Sequence, residues 1–178
     1  MTPADAAARN PPPLNPAAMN VPPTRTTVYP PPWRENNGAL SWKAVGNALG
    51  LTRFGVNIVT LEPGARSSQR HWHKAQDEFV YVIGGELTLV SEAGETPVRA
   101  GHCLGFQAGV PDGHCLINTG TAPATYLVVG DRTRPEHVTY PDIDLELDGN
   151  PATGPRWLHK NGAPYADEYQ PKWGPPKR

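Results

Sequence analysis

The stretch "RHWHKAQDEFVYVIGGEL", residues 70–87, sets two histidines one residue apart and a glutamate five residues after the second, where the chain turns apolar. Successive side chains of a β-strand alternate faces, so His71 and His73 share one face and Trp72 takes the other. In the following run Glu78 falls in phase with Val80 and Val82, which sends Phe79, Tyr81 and Ile83 to the opposite side. Both sides of that strand are apolar, and both are expected to be covered. A glutamate and two histidines buried there need partners. A divalent cation supplies them by neutralising the carboxylate and taking a lone pair from each imidazole. The spacing excludes a helical zinc protease, whose histidines stand four apart with a glutamate beside the first.

A fourth candidate lies in "AGHCLGFQAGVPDGHCLIN", residues 100–118. Alternation after Gly113 puts His114, Leu116 and Asn118 on one face and Cys115 and Ile117 on the other. Three histidines and one glutamate make a four-ligand set with room for water or substrate on a metal that prefers five or six ligands. A shift of register would bring Asp112 into the place of His114, and both stay open at this level. His102, at the start of a strand, reads as a rim or solvent residue; His137 and His159 read as surface residues without a partner.

Between about Ser41 and Tyr140, short runs rich in Val, Ile, Leu, Thr and Tyr alternate with Gly, Pro and Asp clusters. The strands expected are 41–45, 54–61, 71–73, 77–83, 85–91, 95–98, 102–106, 113–118 and 124–131, with no helical period of comparable strength between them. So many short antiparallel strands must close or fold over to hide an apolar face, which predicts an all-β sandwich or barrel. Ten of the 22 prolines fall within residues 1–32, favouring an extended arm without a core of its own. The organisation expected is an N-terminal arm (1–38), a β-barrel (39–140) and a C-terminal extension (141–178) whose aromatics point to docking on a surface.

At 178 residues and 38% apolar content the chain can bury one sizeable core, and a net charge of −1 gives no reason to expect nucleic acid. No stretch approaches the roughly 20 apolar residues of a membrane span, and the first residues lack the pattern of a secretory signal, so the expected location is cytoplasmic. Cys103 and Cys115 form no C-x-x-C pair and read as two buried free thiols.

The chain resembles the cupin superfamily of double-stranded β-helix, or jelly-roll, barrels. The first family motif runs glycine, five residues, His-x-His, three or four residues, glutamate, six residues, glycine. Here Gly64 is followed by six residues before His71, then come His73, four residues to Glu78 and six to Gly85. The second motif runs glycine, five residues, Pro-x-Gly, two residues, histidine, three residues, asparagine. In this chain Gly101 is followed by Gln107 in the proline position, Gly109, four residues to His114 and three to Asn118. Through "DEFVYVIGGELTLV", "AGVPDGH" and "VTYPDIDL" it is also similar to small bacterial single-domain cupins. The resemblance implies a divalent transition metal such as Fe, Mn, Ni, Zn or Cu and a homodimer in which terminal arms cross onto the partner.

Two kinds of function follow. In an enzyme, His71, His73, Glu78 and His114 hold a metal that polarises a carbonyl or hydroxyl or binds dioxygen, and Glu78, once displaced by substrate, doubles as a general base. Val80, Val82, Leu104, Phe106 and Leu116 wall the pocket, and the substrate is a small oxygenated organic molecule handled by a dioxygenase, isomerase or decarboxylase. In a binding module, the same site captures a small anionic or sugar-like ligand without chemistry. The lack of a helix-turn-helix output segment favours the enzyme.

Overall fold

A computed structural model of the chain describes residues 11–19, 29–35 and 37–171. Twelve strands run β1 (Leu40–Lys43), β2 (Phe54–Leu61), β3 (Trp72–His73), β4 (Glu78–Gly84), β5 (Glu86–Ser91), β6 (Gly94–Arg99), β7 (Cys103–Phe106), β8 (Cys115–Ile117), β9 (Ala124–Asp131), β10 (Glu136–Tyr140), β11 (Leu145–Gly149) and β12 (Arg156–Leu158). One helical turn, α1 (Val45–Ala48), follows β1. All nine expected strands form within a few residues of their expected bounds. The strands pair antiparallel into a five-stranded sheet in the order β1-β2-β9-β4-β7, a four-stranded sheet β12-β11-β10-β3 and a three-stranded sheet β6-β5-β8.

The main core lies between the five- and three-stranded sheets. Val59, Leu61, Val80, Val82, Ala124 and Tyr126 from one side meet Leu87, Val98 and Leu116 from the other. This is the jelly-roll arrangement, with the period-2 alternation of β2, β4 and β9 sending one set of side chains inward. Gly85 (φ +81°) is the corner where the chain leaves the first sheet for the second; a Cβ there would stand 2.8 Å from the Cα and Cβ of Ala124. Glycine alone satisfies both the left-handed backbone and that approach.

The asparagine of the second motif is a structural residue. Asn118 is fully buried, donates through Nδ2 to the carbonyls of Leu61 (2.8 Å) and Ala122 (2.9 Å), and accepts from the Gly120 N–H (3.0 Å).

Three strands beyond Asp131 carry structure that period-2 reading did not pick out. β10 pairs with β3 on one side and β11 on the other, and β11 pairs with β12, so this sheet continues across residue 140. Its apolar face gathers Val138, Tyr140, Leu145 and Trp157 into a second core, on which Tyr29 of the N-terminal segment is buried. Tyr29 meets Tyr140 edge-on at 5.6 Å between ring centroids. The part of the arm around Tyr29 therefore docks on its own chain, while residues 1–10 and 20–28, like 172–178 of the tail, lie outside the described residues.

Other readings are corrected. Cys115 is buried, but Cys103 is exposed, because it sits opposite Tyr81 on the outer face of the sheet. Among the described residues that face is not covered: Phe79, Tyr81 and Ile83 are 42%, 39% and 47% exposed. His137 has a partner in Glu146 (2.9 Å), and His159 bonds Asp144 (2.7 Å) and stacks on Tyr165. Asn118→Ala leaves one buried N–H and two carbonyls without partners, so stability should fall by about 2–3 kcal/mol and the melting temperature by roughly 5–10 °C. An unchanged melting temperature in calorimetry would show that these bonds carry no net stability.

Candidate metal centre

The first motif brings its polar residues together by joining two sheets. His73 sits in β3, paired with Val138 of β10. His71, just before β3, exchanges both backbone hydrogen bonds with His114, at 3.1 Å and 2.8 Å. Glu78 opens β4, opposite Phe106 on one side and Gly130 on the other. Alternation then turns its side chain inward with Val80 and Val82, as the sequence indicated.

The four side chains predicted as ligands converge. His71, His73 and Glu78 each present a donor atom within 4.8 Å of the others. Glu78 Oε2 lies 3.7 Å from His73 Nε2, and Glu78 Oε1 lies 3.5 Å from His114 Nε2. The His71 ring centroid is 5.0 Å from that of His73 and 4.9 Å from that of His114. Asp112, the alternative to His114, is exposed, and its Oδ1 accepts from the Glu92 N–H at 2.9 Å instead of approaching Glu78. Sheet register thus carries His114 to the cluster and leaves Asp112 on the loop before it.

Electrostatics prepare these groups as donors. Burial, reinforced by neighbouring His73 and His114, pulls His71 down to about 3, so its imidazole is neutral at physiological pH. Its Nδ1 lies 3.0 Å from the Gln69 carbonyl; an N–H there leaves Nε2 with its lone pair. Burial alone would raise Glu78, but the three imidazoles beside it, with His114 Nε2 at 3.5 Å, hold it below the usual carboxylate range. For His73 burial acts downward and is outweighed by Glu136 and Glu78, which raise it. Both ring nitrogens of His114 and Nδ1 of His73 are buried without a hydrogen-bond partner. Of these, His114 Nε2 faces Glu78 at 3.5 Å, and with His73 Nε2 on the other carboxylate oxygen it fits a divalent transition metal, which would take one nitrogen from each ring.

Around this cluster stand residues that sequence reading missed. Glu136, buried in β10, places Oε1 3.6 Å from His73 Nδ1 and is itself fixed by the N–H groups of Lys74 (3.0 Å) and Ala75 (3.2 Å). Its signal was present: Glu136, Val138 and Tyr140 alternate inward, but only once β10 is read as a strand. His114 stacks on Phe106 with centroids 3.5 Å apart, and His71 stacks on Tyr140 at 5.6 Å. Arg70 holds the entry to β3 with a two-pronged bond to Asp142 (2.8 and 2.7 Å) and one to Glu92 (2.8 Å). His102 is exposed, as expected. The cluster faces a cavity of about 480 Å³ whose wall includes Val80, Phe106 and Leu116 from the predicted set. Val82 is instead fully buried in the core behind it, and Leu104 packs against that core.

Residues 57–130 match the family model of the cupin domain. The chain is 42% identical to a sugar phosphate isomerase of the cupin superfamily from Silicibacter pomeroyi, over 88% of this chain and 98% of that one, with a TM-score of 0.80. The chain belongs to the cupin superfamily. A second cupin-like structure, provisionally named a sugar phosphate isomerase, from Acidithiobacillus ferrooxidans, is 26% identical over 84% of this chain and 91% of that one (TM-score 0.71). A polyketide cyclase from Streptomyces resistomycificus shares the fold at 18% identity, over 68% of this chain and 80% of that one, with a TM-score of 0.54. No protein of curated function matches the sequence.

If the cluster ligates a metal, His73→Ala should lower bound metal by about tenfold or more in elemental mass spectrometry, as loss of one inner ligand does at least as much damage as loss of an outer partner. His114→Ala should do more damage than Asp112→Asn. The reverse ranking would return the fourth ligand position to Asp112.

Proposed function

We propose that this cupin is a metal-dependent isomerase that interconverts the aldose and ketose forms of a small phosphorylated sugar, with His71, His73, Glu78 and His114 as metal ligands. The observation that carries the reading is the 42% identity, across nearly the whole of both chains, to a protein named as a sugar phosphate isomerase. The site chemistry agrees with it. When bound, a divalent metal supplies a Lewis acid that polarises the carbonyl of the open-chain sugar and the neighbouring hydroxyl.

The chain's own residues perform the proton movements. Glu78, ionised at neutral pH and displaced from the ligand set when substrate binds, would take the proton from the carbon next to the carbonyl and return it to the former carbonyl carbon, while the hydroxyl proton passes between the two oxygens. No oxidant is consumed: a C–H bond breaks at one carbon and forms at its neighbour while the C=O double bond moves the opposite way. Tyr126 lines the same cavity and stays protonated because burial pushes its phenol far above the usual range. Its O–H is therefore a donor for a substrate oxygen. Val80, Phe106, Leu116 and Val128 supply an apolar wall that limits water around the reacting carbons.

The partner expected from the resemblance belongs to this reading: a second copy of the chain, seated on the exposed outer row Phe79, Tyr81 and Ile83. An apolar row of this kind on a sheet face marks an association surface. Tyr81→Arg should lower the mass measured by light scattering to that of one chain, and a monomeric wild-type protein would remove this part of the reading.

The activity test uses protein purified without a histidine tag or chelator, its metal content measured, then incubated in deuterated water with three- to six-carbon aldose and ketose phosphates. Interconversion with deuterium appearing at C1 or C2 by NMR is expected. Glu78→Gln should slow it by about 10²–10⁴-fold, the usual range for a general base. Failure of metal-loaded protein to interconvert any of them would overturn the isomerase reading.

A further inference from the structure

Two cavities of similar size share the wall formed by His73, Glu78, Phe106 and His114. They differ in charge. The one of about 460 Å³ is lined by the acids Asp77 and Asp112 and by no lysine or arginine. The one of about 480 Å³ has Asp131 in its wall but also Arg132, its single lysine or arginine. An anionic substrate group therefore meets a cation in the second cavity and none in the first.

Arg132 is held as a fixed donor. Its Nη1 donates to the Leu51 carbonyl (2.9 Å) and its Nη2 to Asn47 Oδ1, which ties the side chain to the loop after α1. It passes over Gly55 at ordinary contact distance, where a Cβ would lie 3.8 Å from Nη2 and 3.9 Å from Nε. Among the described residues no carboxylate lies within ion-pair distance of it. Neighbouring Asp131 turns its oxygens to the N–H groups of Asp77 (2.8 Å) and Thr133 (2.7 Å). A guanidinium carries five N–H bonds, so three remain for a ligand.

Asn57, in phase with Gly55 on β2, completes the arrangement. Its Oδ1 accepts from Trp42 Nε1 at 2.9 Å, which fixes the amide orientation and leaves Nδ2 as a donor toward the cavity. Register sets the separation from the chemistry. Glu78 faces Gly130, Gly130 faces Gly55, and Arg132 lies two residues past Gly130. Two residues of strand cover roughly 7 Å and each neighbouring strand adds roughly 5 Å, so the guanidinium over Gly55 stands well apart from Glu78, as the phosphate at the far end of an open-chain sugar stands apart from its first carbons.

We propose that Arg132 and Asn57 form the subsite for the phosphate group of the substrate, directing C1 and C2 of the sugar to Glu78. This deepens the isomerase reading and rests on it for the identity of the substrate, whereas the anion subsite itself rests on the charge and geometry of the cavity. The alternative role for Arg132 is structural, clipping the α1–β2 loop, and it predicts no effect on anion affinity.

The test titrates inorganic phosphate into metal-loaded wild-type, Arg132→Gln and Asn57→Asp proteins by calorimetry, with melting temperatures alongside and metal-depleted Glu78→Gln as a control for phosphate binding at the metal. Wild type and the Glu78→Gln control should bind phosphate, and each of the other variants should lose about tenfold to a hundredfold in affinity, the effect of removing or opposing a charge-assisted hydrogen bond. Asn57→Asp keeps the acceptor for Trp42 and puts a negative charge against the phosphate, so it decides the matter should Arg132→Gln fail to fold. Unchanged affinity in a folded Arg132→Gln or in Asn57→Asp overturns the proposal, as does wild-type protein that binds no phosphate. Phosphate binding that depends on Arg132 and Asn57, in a protein that interconverts no sugar phosphate, upholds the subsite and rejects the isomerase reading.

Discussion

A carboxylate held against three imidazoles inside an apolar barrel is the arrangement around which this molecule is built. Burial alone favours the neutral form of every one of these groups. The three rings reverse that preference for Glu78, which stays ionised, while His71 is kept neutral by the same burial and by its ring neighbours. The result is three imidazoles gathered around one negative charge, with Nδ1 of His73 and both ring nitrogens of His114 unpartnered. In a protein interior such groups need a partner that accepts several donors at once.

Holding the set in place falls to backbone pairing more than to side-chain packing. The reciprocal His71–His114 bridge fixes two rings relative to each other, and the β3–β10 pair fixes the third. Glu136 and Arg70 then orient this region from outside the cavity, one beside His73 and the other across the loops to Asp142 and Glu92. Asn118 does comparable work at the other end of β8, tying three backbone groups together in the core. The four-stranded sheet is therefore part of the site's support, since without β10 neither His73 nor its Glu136 neighbour is positioned.

The two sides of β4 serve different ends. Inward, Glu78 and Val80 join the chemistry to its apolar wall. Outward, Phe79, Tyr81 and Ile83 present a row left exposed by the described residues. The cavities differ in charge as well, with acids and no cation on one side of the Glu78 wall and Arg132 beside Asp131 on the other.

Period-2 alternation over residues 54–131 made the strands and the inward phase of Glu78, Val80 and Val82 legible, because a strand with one face in the core must repeat every second residue. Motif spacing did the same for His71, His73 and His114. Alternation is weaker as a guide where strands are short, and β10 to β12 escaped it: Glu136 and His137 look like a surface pair until pairing with β3 and β11 buries one and partners the other. The choice between His114 and Asp112 was likewise out of reach, since they stand two residues apart and only the bridge to His71 settles which one turns to Glu78. The sequence by itself determined which residue types could share a face. Tertiary structure decided which faces meet, because the distance between Glu78 and His114 or between Glu78 and Arg132 depends on register across strands far apart in the chain, and no local pattern encodes it.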